Sequence, residues 1–448
     1  MSWHAFPFYA NACPNRVTPR AYNRSNVPLG LYISIPFCRT KCSYCNFASD
    51  VFSRQAYENY VASVIEDVAH ARALSAELGG NFDETADSIY LGGGTPSILE
   101  STQLLRIFQA VRDQFQLTPD AEITVECAPG TLTDPLIATL LAAGVNRVSL
   151  GVQSFVDQEA HSVGRQHNRS TVIEEVARLR QAGIHNLNVD LIAGLPHQTK
   201  ESWTFSLDET IALAVPHVSV YMLEVDEDSR LGREVLAGGT RYHAHFVPDD
   251  AATADFYEQA CQVLDSAGVR QYEISNFAHS KPGAPQASTN HAAPGSVRAS
   301  TSAPVGGQSR HNLKYWTRQP YLGFGVDAHS MLVANHSDLD AIRFASPDSL
   351  DGYMNRVPHT VTRVSAHAAL EEALFLGLRL NRGVDLTALA AAHSLSRLAY
   401  QPIIEECQRD GLLDACGPTI SLTPRGRLLS NEVFARFLLQ EDKSKAAS

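Results

Sequence analysis

Residues 31–45 read LYISIPFCRTKCSYC, an apolar run followed at once by three closely spaced cysteines. The run Leu31–Ile35 is rich in β-forming residues and predicts a short strand. Behind it, Cys38, Cys42 and Cys45 have the spacing C-x3-C-x2-C. The segment therefore predicts a strand that carries three thiols into one loop.

Three thiols at this spacing indicate a [4Fe–4S] cluster held by Cys38, Cys42 and Cys45. Thiolates suit iron–sulfur clusters, and four of them usually hold four irons. Three ligands leave one iron open to a substrate or a cofactor. Zinc is the alternative, but a structural zinc site needs a fourth ligand and more often uses paired C-x2-C motifs.

A repeated strand–helix unit extends outward from this loop. Helical patterns such as Tyr57–Leu78 and Thr171–Ala182 separate short β-rich runs, and Gly183 follows its helix as a C′ glycine would. Strands that alternate with helices pair in parallel through right-handed crossovers. The repeat predicts an α/β fold, a partial TIM-like barrel of (β/α)6 type. The predicted strands are Leu31–Ile35, Ser88–Leu91, Glu122–Glu126, Arg147–Leu150, Asn188–Ile192, His217–Met222 and Arg270–Ser275.

Polar residues follow successive predicted strands. After the cysteine loop come Gly92–Thr95, Glu126, Gln153 and Asp190, each at or just past the end of its strand. In a βα barrel these positions share the C-terminal rim, where active sites form. Each residue alone has an ordinary structural explanation, but the joint arrangement predicts a site at this rim.

Composition and charge exclude several classes of protein. The chain has 448 residues, 44% of them apolar and 19% charged, the balance of a soluble globular protein. A formal net charge of −12 argues against a nucleic-acid binder, whose affinity comes from Lys and Arg on phosphates. Besides the three cysteines of the loop, five are scattered, which does not resemble a secreted disulfide framework. We expect a cytoplasmic protein.

The sequence predicts five segments. They are a disordered N-terminal tail (1–30), the barrel (31–280), a flexible Ala/Pro/Ser/Gly-rich insertion (281–309), a barrel extension (310–365) and a C-terminal domain (366–448). Helical runs and a short strand at Thr419–Leu422 give the last segment a winged-helix-like α+β pattern. Its charges are mixed in sign, so we expect a covering or docking module and not a DNA reader.

The cysteine loop after the first barrel strand resembles that of the radical S-adenosylmethionine superfamily. There the cofactor occupies the open iron, and an electron from the cluster cleaves its sulfonium. The resemblance, which runs over roughly residues 30–440, assigns Gly93, Gly94 and Thr95 to the amino-acid end of the cofactor. It also places Glu126, Gln153, Arg165 and Asp190 around the cofactor, with Tyr32 and Tyr44 beside the cluster. A surface ion pair is the alternative for Arg165.

Within the superfamily, three segments resemble the coproporphyrinogen dehydrogenase group. They are Ile35–Cys38, Gly151–Phe155 and Asp190–Pro196. The enzymes of that group have a further cysteine two residues after the third, where this chain has Phe47. A Phe there is similar to the HemW-like haem chaperones, so the resemblance implies a protein without the dehydrogenase activity.

The segment RHNLKYW, residues 310–316, supports the chaperone interpretation. It matches the H-N-x-x-Y-W motif to which haem binding is assigned in HemW-like proteins, here His311, Asn312, Tyr315 and Trp316. Histidine is a common axial ligand of haem iron, and aromatic rings offer apolar faces to a macrocycle. His329 is a weaker second candidate ligand. The alternative is a structural corner in which these side chains bond to backbone and fill the core.

The resemblance therefore implies a haem chaperone that delivers haem to apo-haemoproteins such as respiratory cytochromes. Homodimer formation and peripheral membrane contact are further implications. The main alternative is an oxygen-independent coproporphyrinogen III dehydrogenase, which removes carboxylate from propionate side chains by a radical route. A radical enzyme acting on RNA fits the acidic chain poorly.

Overall fold

The computed structural model describes residues 27–279, 307–393 and 396–438. The predicted tail (1–30) and insertion (281–309) lie almost entirely outside the described residues. The strands are β1 (Leu29–Ile35), β2 (Gly80–Asn81), β3 (Thr85–Gly93), β4 (Gln116–Cys127), β5 (Arg147–Gln153), β6 (Asn186–Ala193), β7 (His217–Met222), β8 (Val269–Gln271), β9 (Asn276–His279), β10 (Tyr321–Phe324), β11 (His329–Ala334), β12 (Ala341–Ala345), β13 (Thr360–Val364), β14 (Val384–Asp385), β15 (Leu413–Cys416) and β16 (Thr419–Leu422).

Helices separate most of these strands. They are α1 (Arg54–Glu77), α2 (Ser101–Gln114), α3 (Asp134–Ala142), α4 (Asp157–Ser162), α5 (Arg169–Gln181), α6 (Lys200–Ala212), α7 (Arg230–Leu236), α8 (Asp250–Ser266), α9 (Arg310–Trp316), α10 (Leu350–Met354), α11 (Ala366–Leu378), α12 (Leu386–Ala392), α13 (Gln401–Arg409), α14 (Pro424–Leu428) and α15 (Ser430–Phe437). Short 3₁₀ segments occupy Pro96–Ile98, Arg241–Phe246 and Arg397–Tyr400. None of the described helices is both long and apolar enough to cross a membrane.

The sheet confirms the predicted α/β partial barrel. Parallel strands follow one another in the order β10-β1-β3-β4-β5-β6-β7, and helices cross between most of them. The sheet continues in antiparallel strands on both sides, through β9 and β8 after β7 and through β11, β12 and β13 before β10. Because the strands run in parallel, the loops after them meet at one edge of the barrel.

The prediction of a seventh barrel strand at Arg270–Ser275 is wrong. The segment contains the short strand β8 and then a turn, and β9 pairs antiparallel with β7. The carboxylate of Glu273 causes the turn, because it accepts hydrogen bonds from the Ser275 N–H at 3.0 Å and from the side-chain amide of Asn276. The β-rich composition was read correctly, but these side-chain bonds fold the run back on itself.

Alternation along β1 shows why the barrel forms. Leu29, Leu31, Ile33 and Ile35 are fully buried against the surrounding helices, while Tyr32 and Ser34 lie between them in the sequence. Burying each such apolar side chain stabilises the fold by roughly 1.5–3 kcal/mol. Side-chain caps such as Ser53 on α1 and Asn168 on α5 fix where the helices begin.

The C-terminal helices surround a second, smaller core. Strands β14, β16 and β15 form an antiparallel sheet in that order, and α11, α12, α13 and α14 contact it, while α15 packs on α11 and α13. The predicted strand Thr419–Leu422 coincides with β16, and the chain after it forms two short helices, α14 and α15, which meet at Leu429. Arg379 connects this part to the barrel through an ion pair with the buried Glu273 at 3.5 Å.

Candidate functional site

A cavity of about 450 Å³ opens at the C-terminal ends of the parallel strands. Its walls come from the loops after β1, β3, β4, β5, β6 and β7, as expected for the rim of a βα barrel. The sequence-predicted residues that line it are Cys38, Cys42, Tyr44, Cys45, Gly93, Gly94, Thr95, Glu126, Gln153, Arg165 and Asp190. Parallel strand order thus brings together residues that are up to 152 positions apart.

Backbone hydrogen bonds hold the cysteine loop in place. The Cys38 N–H donates to the Asp50 carbonyl at 3.0 Å, and the Ser43 N–H donates to the Val163 carbonyl at 3.1 Å. Burial raises the pKa of the Cys38 thiol, and the neighbouring Cys45 and Cys42 raise it further. Thiolates that line one cavity repel one another unless positive charge lies between them. The irons of a cluster would supply that charge, so the three thiols fit a [4Fe–4S] cluster.

The glycine turn after β3 lies against the cysteine loop. The Gly94 N–H donates to the Ile35 carbonyl and the Thr95 N–H to the Phe37 carbonyl, each at 2.8 Å. A Cβ at Gly94 would come within 2.7 Å of both carbonyl oxygens, so only glycine fits there. The Thr95 hydroxyl donates to the Cys38 sulfur at 3.7 Å. These bonds therefore hold the glycine turn after β3 against the loop that carries the predicted cluster ligands.

Glu126 is the second-last residue of β4 and lines the cavity. Tyr90 donates its hydroxyl hydrogen bond to Oε1 at 2.8 Å, and the Gly93 N–H donates to Oε2 at 3.2 Å. Burial outweighs these two bonds and raises the pKa of Glu126 to about 7. A carboxyl with this pKa exchanges its proton near neutral pH, so its charge can respond to a ligand.

Two buried polar atoms without hydrogen-bond partners indicate a ligand beside Gln153 and Arg165. Gln153 Oε1 and Arg165 Nε are buried and have no hydrogen-bond partner among the described atoms. Arg165 donates instead from its terminal nitrogen to the Tyr44 hydroxyl at 2.7 Å. Gln153 also has a left-handed backbone, with φ of 70°, which is unusual for a residue with a Cβ. Buried polar atoms of this kind are normally satisfied, so the wall fits a polar ligand.

Asp190, in the middle of β6, is another of the predicted polar residues that line the cavity. It accepts hydrogen bonds from the Ser149 hydroxyl at 3.0 Å and from the Asn188 amide at 2.7 Å, and burial raises its pKa. Tyr32, in contrast, is not among the residues that line the cavity. Its ring stacks on Tyr90 with centroids 6.2 Å apart, and its hydroxyl lies next to Gly93.

One side of the cavity is formed by residues that were not predicted from the sequence. Tyr221, Met222, Leu223 and Glu224 line it at the end of β7. The rule that identified the other rim residues applies equally to this strand, so the signal was present in the predicted run His217–Met222. Phe47 also lies at this cavity, with 63% of its surface exposed.

His311 lies at the other end of the barrel from the cysteines. Its ring is next to Gly30, near the start of β1, and 1% of the residue is exposed. Nδ1 is 3.0 Å from the Ser88 hydroxyl and Nε2 is 2.7 Å from the Tyr315 hydroxyl. Burial lowers the pKa of His311 to about 3, so the ring is neutral at pH 7. Both nitrogens are engaged, and ligation of haem iron by His311 would require α9 to move.

The other residues of this motif have structural contacts too. Asn312 is half-buried at the start of α9, where its N–H donates to the Ser309 hydroxyl at 3.3 Å. Tyr315 contacts Tyr321 edge-on, and the Trp316 ring lies 4.1 Å from the Arg379 guanidinium. His311 is buried as the structural-corner alternative predicts, but it bonds to side-chain hydroxyls and not to backbone. A haem-binding role for these residues stays a prediction. His329 is exposed at the start of β11.

A partial barrel with three cysteines in the loop after its first strand and a polar ligand cavity beside them defines the radical S-adenosylmethionine class. The profile of the Radical SAM superfamily matches residues 32–209, and that of the HemN C-terminal domain matches residues 364–429. The haem chaperone HemW of Lactococcus lactis is 32% identical over 420 residues, 92% of this chain and 98% of that protein. The chain belongs to the HemW family of radical SAM proteins.

Other relatives agree with this assignment. HemW of Escherichia coli is 30% identical over 92% of this chain and 99% of that protein. A mouse protein, the mitochondrial radical S-adenosyl methionine domain-containing protein 1, is 31% identical over 82% of this chain and 76% of that protein. Among solved structures, the coproporphyrinogen III oxidase HemN of Escherichia coli has a TM-score of 0.72 at 22% identity and covers 93% of this chain and 92% of that chain. At this identity the likeness to HemN shows the fold alone.

Proposed function

We propose that the protein is a haem chaperone that binds haem and transfers it to apo-haemoproteins. Phe47 is the observation that carries the proposal. It stands where the dehydrogenases of the group have their further cysteine, and its exposed ring offers an apolar face at the cavity. A phenylalanine cannot ligate metal or exchange protons, so the chemistry of that cysteine is absent. HemW relatives that align over most of the chain support the same conclusion.

The cavity supports two cofactors in this proposal. Cys38, Cys42 and Cys45 hold a [4Fe–4S] cluster, and S-adenosylmethionine fills the space between the glycine turn and Arg165. Gly93, Gly94 and Thr95 receive the amino-acid end of that cofactor, and Glu126, Gln153 and Asp190 surround the rest. When bound, these groups would supply one-electron chemistry at the open iron.

An anaerobic haem titration of the cluster-reconstituted protein tests the proposed function. We expect a stoichiometric Soret change, followed by loss of that spectrum when an apo-cytochrome is added, because a chaperone has to release its cargo. The same cytochrome mixed with free haem and an unrelated protein is the control. A wild-type protein that forms no stable haem complex contradicts the proposal.

The alternative function has its own test. Because the cavity contains the cofactor residues that a radical dehydrogenase needs, coproporphyrinogen III oxidation is the specific competitor. We expect no decarboxylated product in an anaerobic assay with S-adenosylmethionine and a reductant, with an active dehydrogenase run in parallel. Product formed by this protein at a rate comparable to that enzyme would replace the chaperone with the dehydrogenase.

Affinity for S-adenosylmethionine should depend on pH through Glu126. Its pKa of about 7 means that the carboxyl is mostly protonated at pH 6 and mostly ionised at pH 8. The cofactor has a net positive charge and favours the ionised form, so binding at pH 6 releases a proton. We expect affinity to rise about tenfold from pH 6 to pH 8, measured by calorimetry in two buffers. Glu126→Gln should give a flat profile, and a flat wild-type profile contradicts this role.

Several parts of the proposal concern the cellular setting. We propose a cytoplasmic protein whose recipients include respiratory cytochromes, which places transfer next to a membrane. Homodimer formation and peripheral membrane contact remain predictions from the family. Size-exclusion chromatography with light scattering and vesicle co-sedimentation test them directly.

A further inference from the structure

A second pocket, of about 340 Å³, lies against the cysteine loop. Its walls come from that loop, the end of α4, the start of α7 and the 3₁₀ segment Arg241–Phe246. Its volume is in the lower part of the range typical of small-molecule sites. Among the described residues that line it, Val163 alone has an aliphatic side chain. The pocket therefore fits a small and polar ligand.

Hydrogen bonds hold the walls of this pocket together. The Ser43 N–H donates to the Val163 carbonyl at 3.1 Å, and the Leu231 N–H donates to the Ser43 carbonyl at 2.7 Å. The Thr40 hydroxyl also donates to the Gly164 carbonyl at 3.3 Å. The end of α4 and the start of α7 are therefore both fixed to the cysteine loop, and the pocket is present before a ligand binds.

The charge of the lining favours an anion. Lys41 and Arg230 both line the pocket, and neither forms an ion pair within the part of the chain that the structure describes. No Asp or Glu is among the described residues of the lining. Two cations in a concave site raise the local concentration of anions, although the whole chain has a net charge of −12.

A buried hydroxyl without a partner belongs to the same lining. Ser43 lines the pocket with 5% of the residue exposed, and its Oγ has no hydrogen-bond partner among the described atoms. The N–H and the carbonyl of Ser43 are both engaged, so the hydroxyl is the donor that is left over. Buried hydroxyls are normally satisfied, and this one therefore indicates a ligand with an acceptor oxygen at this wall.

A phosphate group suits these donors better than a carboxylate does. A phosphate monoester offers three strong acceptor oxygens, whereas a carboxylate has two. Lys41, Ser43 and Arg230 are three separate donors, and lysine and arginine are both common phosphate ligands. The phosphate alone fills only part of the pocket, which leaves room for a small organic part beside Tyr242 and His243.

We propose that this pocket binds a small phosphate monoester, with its phosphate at Lys41, Ser43 and Arg230 and its organic part at Tyr242 and His243. The site does not depend on haem binding. Lys41 is the one described residue that lines both this pocket and the larger cavity. Because Lys41 and Ser43 flank Cys42 in the sequence, a bound phosphate connects α7 to the loop of the predicted cluster ligands.

Calorimetric titration of the full-length, cluster-reconstituted protein with glycerol phosphate and with inorganic phosphate tests the site. We expect one equivalent to bind, with affinity at least about tenfold weaker in Arg230→Gln and about threefold to tenfold weaker in Ser43→Ala. Arg233→Gln removes the same charge from α7 outside the pocket and should stay within about twofold of wild type. Glycerol phosphate should also raise the unfolding midpoint of wild type and leave that of Arg230→Gln unchanged.

Three results would overturn the phosphate site. The first is wild-type affinity in Arg230→Gln, since Arg230 does not line the larger cavity and binding there would be insensitive to this variant. The second is an equal loss of affinity in Arg233→Gln, which would indicate general attraction by surface charge. The third is no saturable binding of either phosphate compound to wild type at about 10 mM. If succinate binds in that case, the ligand is a carboxylate.

Discussion

Replacing Cys42 by alanine is expected to leave a folded protein without an iron–sulfur cluster. The proposed cluster has three thiolate ligands, and loss of one leaves two, too few to hold four irons against solvent and chelators. Cys42 is only half-buried in its loop, so the substitution removes little packing. Iron and sulfide content after anaerobic reconstitution, together with the charge-transfer absorbance of the cluster, measures the effect.

Cys261 provides a matched control for this experiment. It is half-buried like Cys42 but lies in α8, and burial raises the pKa of its thiol to about 11. Cys261 lies outside the cysteine loop and does not line the cavity, so Cys261→Ala should keep the full iron content. A Cys42→Ala protein with wild-type iron and sulfide would show that another residue holds the metal, and zinc would then be the first ion to test.

The residues of the C-terminal rim could be predicted from the sequence, because the ends of parallel strands meet at one edge of the barrel. Finding a strand and the residues that follow it was enough to place them there. Glu126 and Gln153 lie at the ends of β4 and β5, strands that were identified from their composition. Asp190 lies within β6, and all three residues line the cavity. The glycines after helices were read in the same way, and Gly183 has the positive φ of 99° that the C′ position requires. Local rules of this kind need no knowledge of the partner strands.

Long-range packing accounts for the predictions that differ from the structure. Nothing in residues 310–316 shows that α9 packs near Gly30, so the sequence could not tell a buried His311 from an exposed one. The turn at Glu273 depends on its side-chain bonds to the next residues, which composition does not reveal. Tyr242 and His243 look like ordinary loop residues in the sequence, since their left-handed conformations appear only in the folded chain.

Replacing His311 by alanine should destabilise the protein and leave its haem affinity unchanged. The substitution leaves the Ser88 and Tyr315 hydroxyls without their partner inside the barrel and opens a cavity next to Gly30. Unsatisfied buried polar groups cost about 1–3 kcal/mol each, so we expect a loss of about 2–4 kcal/mol in the free energy of unfolding. Urea titration at pH 7.5 measures this loss.

The pH dependence of that loss separates a buried neutral histidine from a haem ligand. The pKa of His311 falls from 6.5 in the unfolded chain to about 3 in the fold. As pH drops below 6.5, the unfolded state takes up a proton that the folded state refuses, and wild type loses stability. The alanine variant lacks this component, so the gap between the two proteins should narrow from pH 7.5 to pH 5. His329→Ala, at an exposed site, should show no such change.

A constant gap between pH 7.5 and pH 5, together with a haem affinity at least about tenfold weaker than wild type, would contradict the structural role of His311. Such a result would mean that in solution α9 moves away from the barrel and exposes the imidazole ring of His311. With a structural His311, the gap narrows as the pH falls and the alanine variant binds haem like wild type.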